Sequence, residues 1–488
     1  MSKYLYGAAV QGIQEFIFRT NELKHIVGAS ELVEQICTSA FDEFGKNGES
    51  VVRAAGNIKF IFEKEEDCAR AVREFPKKVM TMAPGITISQ AVVPLDNDFG
   101  KAVDDIEVLL KVQRNKPSRS VTSGLIGIKR ANNTGLPVIE KNKDIYLDAA
   151  TKAKLEKHEM KKLCSKSFGE FSKQLAYEIS SITDKNDWIA IIHADGNGLG
   201  KVIQAVGKKK DVYREFSRKL DDATKEAAHI AYQTVYERFK DKRVIPLRPV
   251  VLSGDDMTII IRGDLALDYA DAFITAFEEK TKAALGGILR QEKVFALSKD
   301  YLTACAGIAF IKSSFPFYYG YQLAEDLCSQ AKKDTKAIYG ENTNNLPPSC
   351  LMFHKVQDSF IFDYNDIVKR ELTTKDGLSF KAGPYYITSK DQTTAFKLDE
   401  KKKLMVSKLV KYSQLLNSVS SDGIKSGIRN WISLRIENKD KADQRRERML
   451  NIFSDSTAIK ALTKEEENRC LAYDALAYNT IMNQQTNE

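Results

Sequence analysis

The sequence has no apolar run approaching the ~18–20 residues that a helix needs to cross a bilayer. Its first residues, MSKYLYGAAVQG, lack the basic region, apolar core and small-residue cleavage site of a signal peptide. Both absences argue against a membrane or secreted protein and predict a cytoplasmic one. The seven cysteines (Cys37, Cys68, Cys164, Cys305, Cys328, Cys350 and Cys470) are scattered, odd in number and never spaced as CxxC. That usage fits a reducing compartment and gives no cysteine-based zinc site; they read as buried filler. No charge of one sign dominates either, since the net charge is only +8 over 488 residues. The excess is local, however: residues 401–450 hold 13 Lys or Arg against 5 Asp or Glu, so the rest of the chain is balanced. A basic C-terminal region of this kind suits a phosphate backbone, and equally the solvated face of a helical domain.

What is present begins with length: 488 residues are too many for one ordinary core, so two to four domains are expected. An internal repeat then organises the chain. The first copy runs from the apolar strand YLYGAAV (4–10) through QGIQEFI and a helical stretch to the hairpin candidate VVRAAGNIKFIFE (51–63). It continues with the helix-like DCARAVREF, the strand ITISQAVVPL (86–95) and the helix FGKAVDDIEVLLKVQ. The second copy keeps the order: WIAIIHA (188–194), DGNGLGKVI and a long helical stretch, then the hairpin PVVLSGDDMTIIIRG. A second helix-like stretch, the strand YLTACAGIAFI (301–311) and the helix FYYGYQLAEDLCSQAKK (317–333) complete it. Strand, helix, hairpin, helix, strand is the split strand-helix-strand order of ferredoxin-like domains. The expected class is therefore α+β, with two ferredoxin-like sheets forming an internal pseudo-dimer. Between the copies lie a polar stretch (114–145) and a helical segment to about residue 182. After them come the loop ENTNNLPPS (341–349), a mixed segment and a mostly helical tail from Leu398 whose last dozen residues fray.

In the second copy Asp195 directly follows an apolar strand, while Asp255 and Asp256 sit at the turn of the central hairpin. First strand and hairpin are neighbours in a ferredoxin-like sheet, so the three carboxylates are expected to converge at one edge. Three such groups repel unless cations lie between them, and hard divalent ions with oxygen ligands, two Mg²⁺ or Mn²⁺, are the natural partners. The neighbours agree. Gly196, Asn197, Gly198 and Gly200 lie in GNGLG, where a strand enters a helix and backbone N–H groups approach an anion closely. Ser253 and Gly254 keep the hairpin free of bulk, and Lys332 and Lys333 end a helix on the same sheet, within reach of a triphosphate. Each feature has an ordinary reading alone: adjacent aspartates as turn chemistry, a lysine pair as a solvated helix end. Their joint appearance in one unit favours metal and phosphate. His193 reads as strand packing without a role.

HADGNGLGKVI, LSGDDMTIII and LTACAGIAFIKSSFPFYYGYQLAEDLCSQAKK resemble the catalytic palm of the large polymerase/cyclase subunit of type III CRISPR effector complexes, a relative of GGDEF-type nucleotide cyclases. VQGIQEFIFRTNELKHIVGASELVEQI and AAGNIKFIFE resemble that subunit's other palm. The resemblance has motif support over residues 4 to about 385 and is looser beyond. It implies a cyclase that joins ATP through 3′-5′ linkages into cyclic oligoadenylates, with two nucleotides between the palms. Asp195, Asp255 and Asp256 would hold the metals, Gly254 would line the nucleotide and Lys332 would meet the phosphates. The first copy, with Gln11 read at the place of Asp195 and Gly56 and Asn57 at the approach to the acid pair, would hold an acceptor nucleotide without chemistry.

The implied organisation is a degenerate first palm (1–140), a helical linker in place of a zinc knuckle (141–186), a catalytic second palm (187–345), a mixed extension (346–397) and a C-terminal helical domain (398–488). Three departures from the family pattern bear on function. The chain starts at the palm and has no His-Asp dipeptide, so single-stranded DNA cleavage is not expected. SVTSGLIGIKRANNTGLPV stands where a cysteine zinc knuckle is usual, so no zinc is expected. Ser253 stands where the signature has Gly, which bears on product and turnover. Expected partners are ATP and, through the basic C-terminal region, guide or target RNA and small CRISPR subunits; a stand-alone member would be a homo-oligomer. The rival readings are a scaffold subunit that binds nucleotide without turnover and a GTP-using dinucleotide cyclase.

Overall fold

The computed structural model describes residues 3–54, 56–96, 98–116, 127–142, 145–183, 187–240, 243–294, 300–339, 346–357, 363–387, 403–418, 422–453 and 457–483. Parts of the expected segments lie outside the described residues, among them 120–126 in the place of the zinc knuckle, 184–186 at the end of the linker, 341–345 in the Asn-rich loop, 358–362 and 388–397 in the mixed extension, 398–402 at the start of the tail, and the terminal 484–488.

The first copy folds as β1 (Lys3–Gln11), α1 (Ile13–Phe18), α2 (Leu23–Cys37), β2 (Gly48–Ala54), β3 (Asn57–Phe62), α3 (Glu65–Met82), β4 (Thr87–Leu95) and α4 (Phe99–Arg114). A hairpin not read from the sequence, β5 (Val138–Asn142) with β6 (Ile145–Asp148), precedes the short helices α5 (Ala149–Lys157) and α6 (Lys162–Phe168). The second copy is β7 (Trp188–Gly196), α7 (Leu199–Val206), α8 (Lys210–Tyr236), β8 (Leu247–Ser253), β9 (Asp256–Arg262), α9 (Ala266–Gln291), β10 (Ala304–Lys312) and α10 (Phe317–Tyr339). The first sheet has the order β2-β3-β1-β4, and the equivalent strands of the second have the order β8-β9-β7-β10. The class is α+β, as the repeat implied.

The second sheet continues past the repeat. Residues from 346, expected as an extension of their own, supply β11 (Cys350–Lys355), parallel to β10, and the two-residue β12 (Tyr385–Tyr386). A parallel neighbour needs a crossover, and α10 provides it. Beyond, the helices Val406–Ser418, Asp422–Glu437, Lys439–Ile452, Thr457–Leu462 and Ala472–Met482 close on a separate core that includes Trp431, Ile428 and Phe380.

WIAIIHA is continuously apolar because both faces of β7 are covered. Ala190, Ile192 and Ala194 pack with Leu220 of α8 and Phe273 of α9, whereas Ile189 and Ile191 pack with Leu323 and Leu327 of α10. Each core draws on both copies: Leu5 and Val93 of the first sheet join the α8–α9 side, and Ile26 and Leu32 of α2 join the α10 side. Helix α8 therefore packs on β2, and α2 on β8.

The two hairpins match residue for residue. Ala54 pairs with Asn57 as Ser253 pairs with Asp256, and both ladders carry a bulge at the same register, between Ser50 and Val52 and between Pro249 and Val251. This alignment corrects one expectation. Asn57 lies opposite Ala9, and Met257 lies opposite Ala194, so continuing that register by one residue brings Asp256 to Asp195. Left-handed Gly12 and Gly198 (φ 67 and 64) open the following helices, three residues after Ala9 and Asp195. The residue of the first copy at the place of Asp195 is therefore Ala9, and Gln11 corresponds to Asn197. Gly56 and Asn57 stand at Asp255 and Asp256, as the repeat suggested.

Candidate metal and nucleotide site

Asp195 is the penultimate residue of β7, Asp256 begins β9, and Asp255 occupies the turn before it, so the sheet itself delivers all three acids to one edge. Each offers a carboxylate oxygen within 4.8 Å of the others, a grouping with the dimensions of a metal site. Among the described residues it is the only cluster of three or more His, Cys, Asp or Glu that meets that test. Asp255 is only 9% exposed. Burial, and next to it the Asp195 charge, pushes its carboxyl up to about 7. Burial also raises Asp256 well above the carboxylate range, followed by the charges of Asp255 and Asp195. Without a cation Asp255 and Asp256 thus hold their protons to higher pH than ordinary carboxyls, which is the expected response of acids crowded together out of water.

One cation is built in. Lys332 on α10 forms an ion pair with the Asp195 carboxylate and donates to the Gly196 carbonyl at 2.8 Å. Burial works against its charge, but Asp195 more than restores it, and its pKa ends above the usual lysine value. A close helix-to-strand approach brings it there: a Cβ on Gly307 of β10 would lie 2.0 Å from the Ala324 carbonyl oxygen of α10, so only glycine fits. Lys333 is exposed and next to Asp326. Adjacent helical residues diverge by about 100°, so only one of the two lysines joins the site.

The GNGLG segment divides in the same way. A Cβ on Gly196 would meet the Asp255 carboxylate at 2.6 Å, so this glycine makes room for the acid. Asn197 is 4% exposed and turned into the fold. Its backbone N–H donates to the Thr303 carbonyl (2.8 Å), its amide donates to Thr303 Oγ1 (3.0 Å), and its Oδ1 accepts from the Cys305 thiol (3.3 Å). Asn197 therefore braces the loop, while Gly200 has open space around it. His193 lies two residues before Asp195, its Nδ1 3.0 Å from Thr258 Oγ1 and its ring against Tyr321. Burial lowers it to about 4, so it is neutral.

Two residues not singled out from the sequence meet the acidic turn from α8. Asp221 Oδ1 accepts from the Gly254 N–H (3.2 Å) and from Ser253 Oγ (3.5 Å), and Thr224 Oγ1 donates to the Gly254 carbonyl (2.5 Å). Their i, i+3 spacing puts them on one face of the helix, but no sequence signal says which end of which hairpin that face meets. In the first copy Gln11 donates to the Ala9 carbonyl (3.2 Å), and the Gly56 carbonyl accepts from the Val10 N–H (2.8 Å).

A family model described as Cas10/Cmr2, second palm domain, matches residues 188–338. No curated protein sequence matches the chain. Its fold is similar to crystal structures of the Csm1-Csm4 cassette in complex with pppApApA (TM-score 0.56, 12% identity) and with cA3 (0.53, 14%). It is similar also to the Csm1-Csm4 subcomplex in the type III-A CRISPR-Csm interference complex (0.53, 12%). In each case 99% of this chain and 69% of the other are covered. At these identities the likeness is one of fold, while the family model bears on the part that carries the acids. Residues 188–338 thus match the Cas10/Cmr2 second palm domain, and the chain as a whole shares the fold of the Csm1-Csm4 structures.

Proposed function

We propose that the protein is a pyrophosphate-releasing nucleotidyltransferase that converts ATP into a cyclic oligoadenylate and works within a type III CRISPR assembly. The observation that carries this reading is the acid triad, which occurs in one copy of a duplicated hairpin and not in the other. A duplicated turn held by the same register and the same bulge needs no acids to fold, as Ala9, Gly56 and Asn57 demonstrate. Acids kept at a cost in repulsion are explained by a ligand that removes it.

An all-oxygen donor set, half-buried and mutually repelling when alone, fits Mg²⁺ or Mn²⁺ rather than zinc. Asp195, Asp255 and Asp256 would hold one or two such ions, which supply neutralising charge for the attacking and leaving oxygens of a phosphoryl transfer. The chain's own residues do the remaining work. Gly196 makes room for the Asp255 carboxylate, and Gly254, without a side chain, would line the nucleotide. Lys332, freed from Asp195 when the carboxylate takes a metal, would turn its ammonium to the phosphates. The bond formed joins the 3′-oxygen of one nucleotide to the α-phosphorus of another. The bond to the β-phosphate oxygen breaks, pyrophosphate leaves, and the hydroxyl proton passes to solvent. Gln11, Gly56 and Asn57 would line the place of the acceptor nucleotide in the first palm.

Adenine nucleotides are favoured because Csm1-Csm4 cassettes of this fold occur in complex with pppApApA and cA3. The type III-A subcomplex supports neighbours of the Csm4 kind. The test is product analysis by mass spectrometry, with pyrophosphate release, for each NTP with Mg²⁺ or Mn²⁺, with and without candidate RNA. Wild type is expected to make adenylate rings, and Asp255→Ala/Asp256→Ala none. Identical products from both proteins, or no pyrophosphate from any NTP, would sink the reading.

A further inference from the structure

We infer that Asp221 and Thr224 of α8 are positioning residues that fix the acidic turn, and that divalent-cation affinity at Asp195, Asp255 and Asp256 depends on their grip. This inference rests on the reading of the triad as a metal site.

The turn joining β8 to β9 lies beyond the last ladder pair, Ser253 with Asp256, so the sheet does not hold Gly254 or Asp255. What grips Gly254 comes from one helix. Gly254 has its N–H bound by Asp221 and its carbonyl bound by Thr224, so both polar ends of the residue preceding Asp255 are fixed from the same side. Ser253 Oγ adds a third contact to Asp221. The helix is a firm base. Helix α8 packs along α9, Leu220, Ala223 and Ala227 are buried, Thr224 is fully buried, and Asp221 is itself tied by an ion pair to Lys225.

In the first copy the carbonyl of Gly56, which stands at Asp255, is held by its own sheet through Val10, and the counterpart of Gly254, residue 55, lies outside the described residues. Neither Asp221 nor Thr224 belongs to the acid cluster, so their effect must pass through the turn. Ligand distances tolerate only about ±0.2 Å, and residues that orient ligands typically govern ~10–100-fold in metal affinity or activity.

The experiment uses the full chain and Mn²⁺ alone as probe, by calorimetric titration, with metal-free melting temperature and ATP turnover alongside. Thr224→Val removes the hydroxyl with little change of shape, and Thr224→Ser restores it. Thr224→Val is expected to weaken Mn²⁺ binding about tenfold or more while the metal-free protein still melts cooperatively. Thr224→Ser should bind within about threefold of wild type and Asp221→Ala at least as weakly as Thr224→Val. Asp255→Ala/Asp256→Ala serves as the reference that loses the ion. If Thr224→Val and Asp221→Ala bind Mn²⁺ like wild type while the reference does not, the positioning role is overturned and the metal site stands. Equal losses for Thr224→Val and Thr224→Ser overturn it too, because packing and not the hydrogen bond would then be responsible. If the reference itself binds like wild type, the reading of the triad falls and this inference with it.

Discussion

Gly196→Ala tests whether the placement of Asp255, and not merely its presence, governs the site. Gly196 is the last residue of β7, and its φ lies outside the left-handed region, so alanine suits the backbone. The added Cβ would lie 2.6 Å from Asp255 Oδ2, 3.0 Å from its Cβ and 3.2 Å from its Cγ, whereas ordinary contact begins at 3.4 Å. The carboxylate must retreat by roughly 0.8 Å. Because the Asp255 Cβ is crowded as well, rotation of the carboxylate alone does not relieve the clash, and the hairpin turn has to shift. A displacement near 1 Å at a reacting centre costs on the order of 10² in rate, and it is several times the tolerance of a metal–oxygen distance. The fold should survive, since overpacking of this size costs about 1–3 kcal/mol and alanine recovers part of that by restricting the unfolded chain. The expected outcome is therefore a cooperative melt near that of wild type, Mn²⁺ affinity down about tenfold or more, and pyrophosphate release from ATP down on the order of 10². A Gly196→Ala protein that keeps wild-type Mn²⁺ affinity and turns over within about threefold of wild type would refute the link between this contact and the site.

Buried acids set a pH dependence whose sign is opposite to the usual one. Asp255 and Asp474 are raised to about 7 by burial, so the folded chain binds more protons than the unfolded chain between roughly pH 4 and 7. Their stabilising share is complete below the unfolded value and is lost as pH rises through 7. For Asp474 the rise from the ordinary aspartate value of 3.8 to about 7 sets a ceiling on the order of 4 kcal/mol. Melting of the metal-free protein should thus fall between pH 5 and 8. Mn²⁺ should remove the part due to Asp255 and Asp256, and Asp474→Asn the part due to burial of the Asp474 carboxyl; a flat profile in all three would contradict the burial argument. Lys332→Met should lower the metal-free melting temperature, because Asp195 loses its partner, and raise KM for ATP about tenfold with a smaller change in kcat. Equal losses in kcat and kcat/KM would instead mean that Lys332 acts only in the transition state. Gly307→Ala forces α10 off β10 against two backbone atoms, the Ala324 oxygen at 2.0 Å and the Cys328 nitrogen at 2.5 Å. It should destabilise by about 3 kcal/mol or more in denaturant unfolding, and a loss under 1 kcal/mol would show that the helix can slide.

The parts of this site that were legible in the sequence are those fixed by strand periodicity. WIAIIHA and the PVVLS–MTIII pair are apolar enough on both faces to be read as neighbouring buried strands, and acids at their ends can only meet at an edge. The two-residue slip that matched Gln11 with Asp195 has the same origin. A shift of two keeps every side chain on its face, so the pattern cannot detect it. The true marker was Gly12 with Gly198, whose left-handed geometry opens both helices. Lys332 could not be separated from Lys333 without the phase of α10, and Asn197 looked like part of an anion loop because its buried partners, Thr303 and Cys305, lie more than 100 residues away. β11 was hidden for a similar reason. CLMFHK reads as a strand, but joining a sheet in parallel depends on where a crossover helix ends.

The contact between the copies shows that their divergence goes beyond the acids. Glu49 in β2 and Arg248 in β8 occupy equivalent positions, next to the shared bulge. Glu49 is met by Lys210 (2.8 Å) and Arg214 of α8, whereas Arg248 lies in the field of Glu31 on α2. The strand charge is thus exchanged between the two halves, and so is the helix charge that answers it. The Glu49 pairs are more than a third exposed and contribute little stability. Arg248 is fully buried and stacked on Tyr177, so its environment is the more demanding of the two. Opposite signs at one register make the junction suit unlike halves, because two copies of either hairpin would present the same charge. A pseudo-dimer that keeps its acids in one half and its exchanged charges at the seam has the two halves specialised together: one to bear the triad, the other to be held against it.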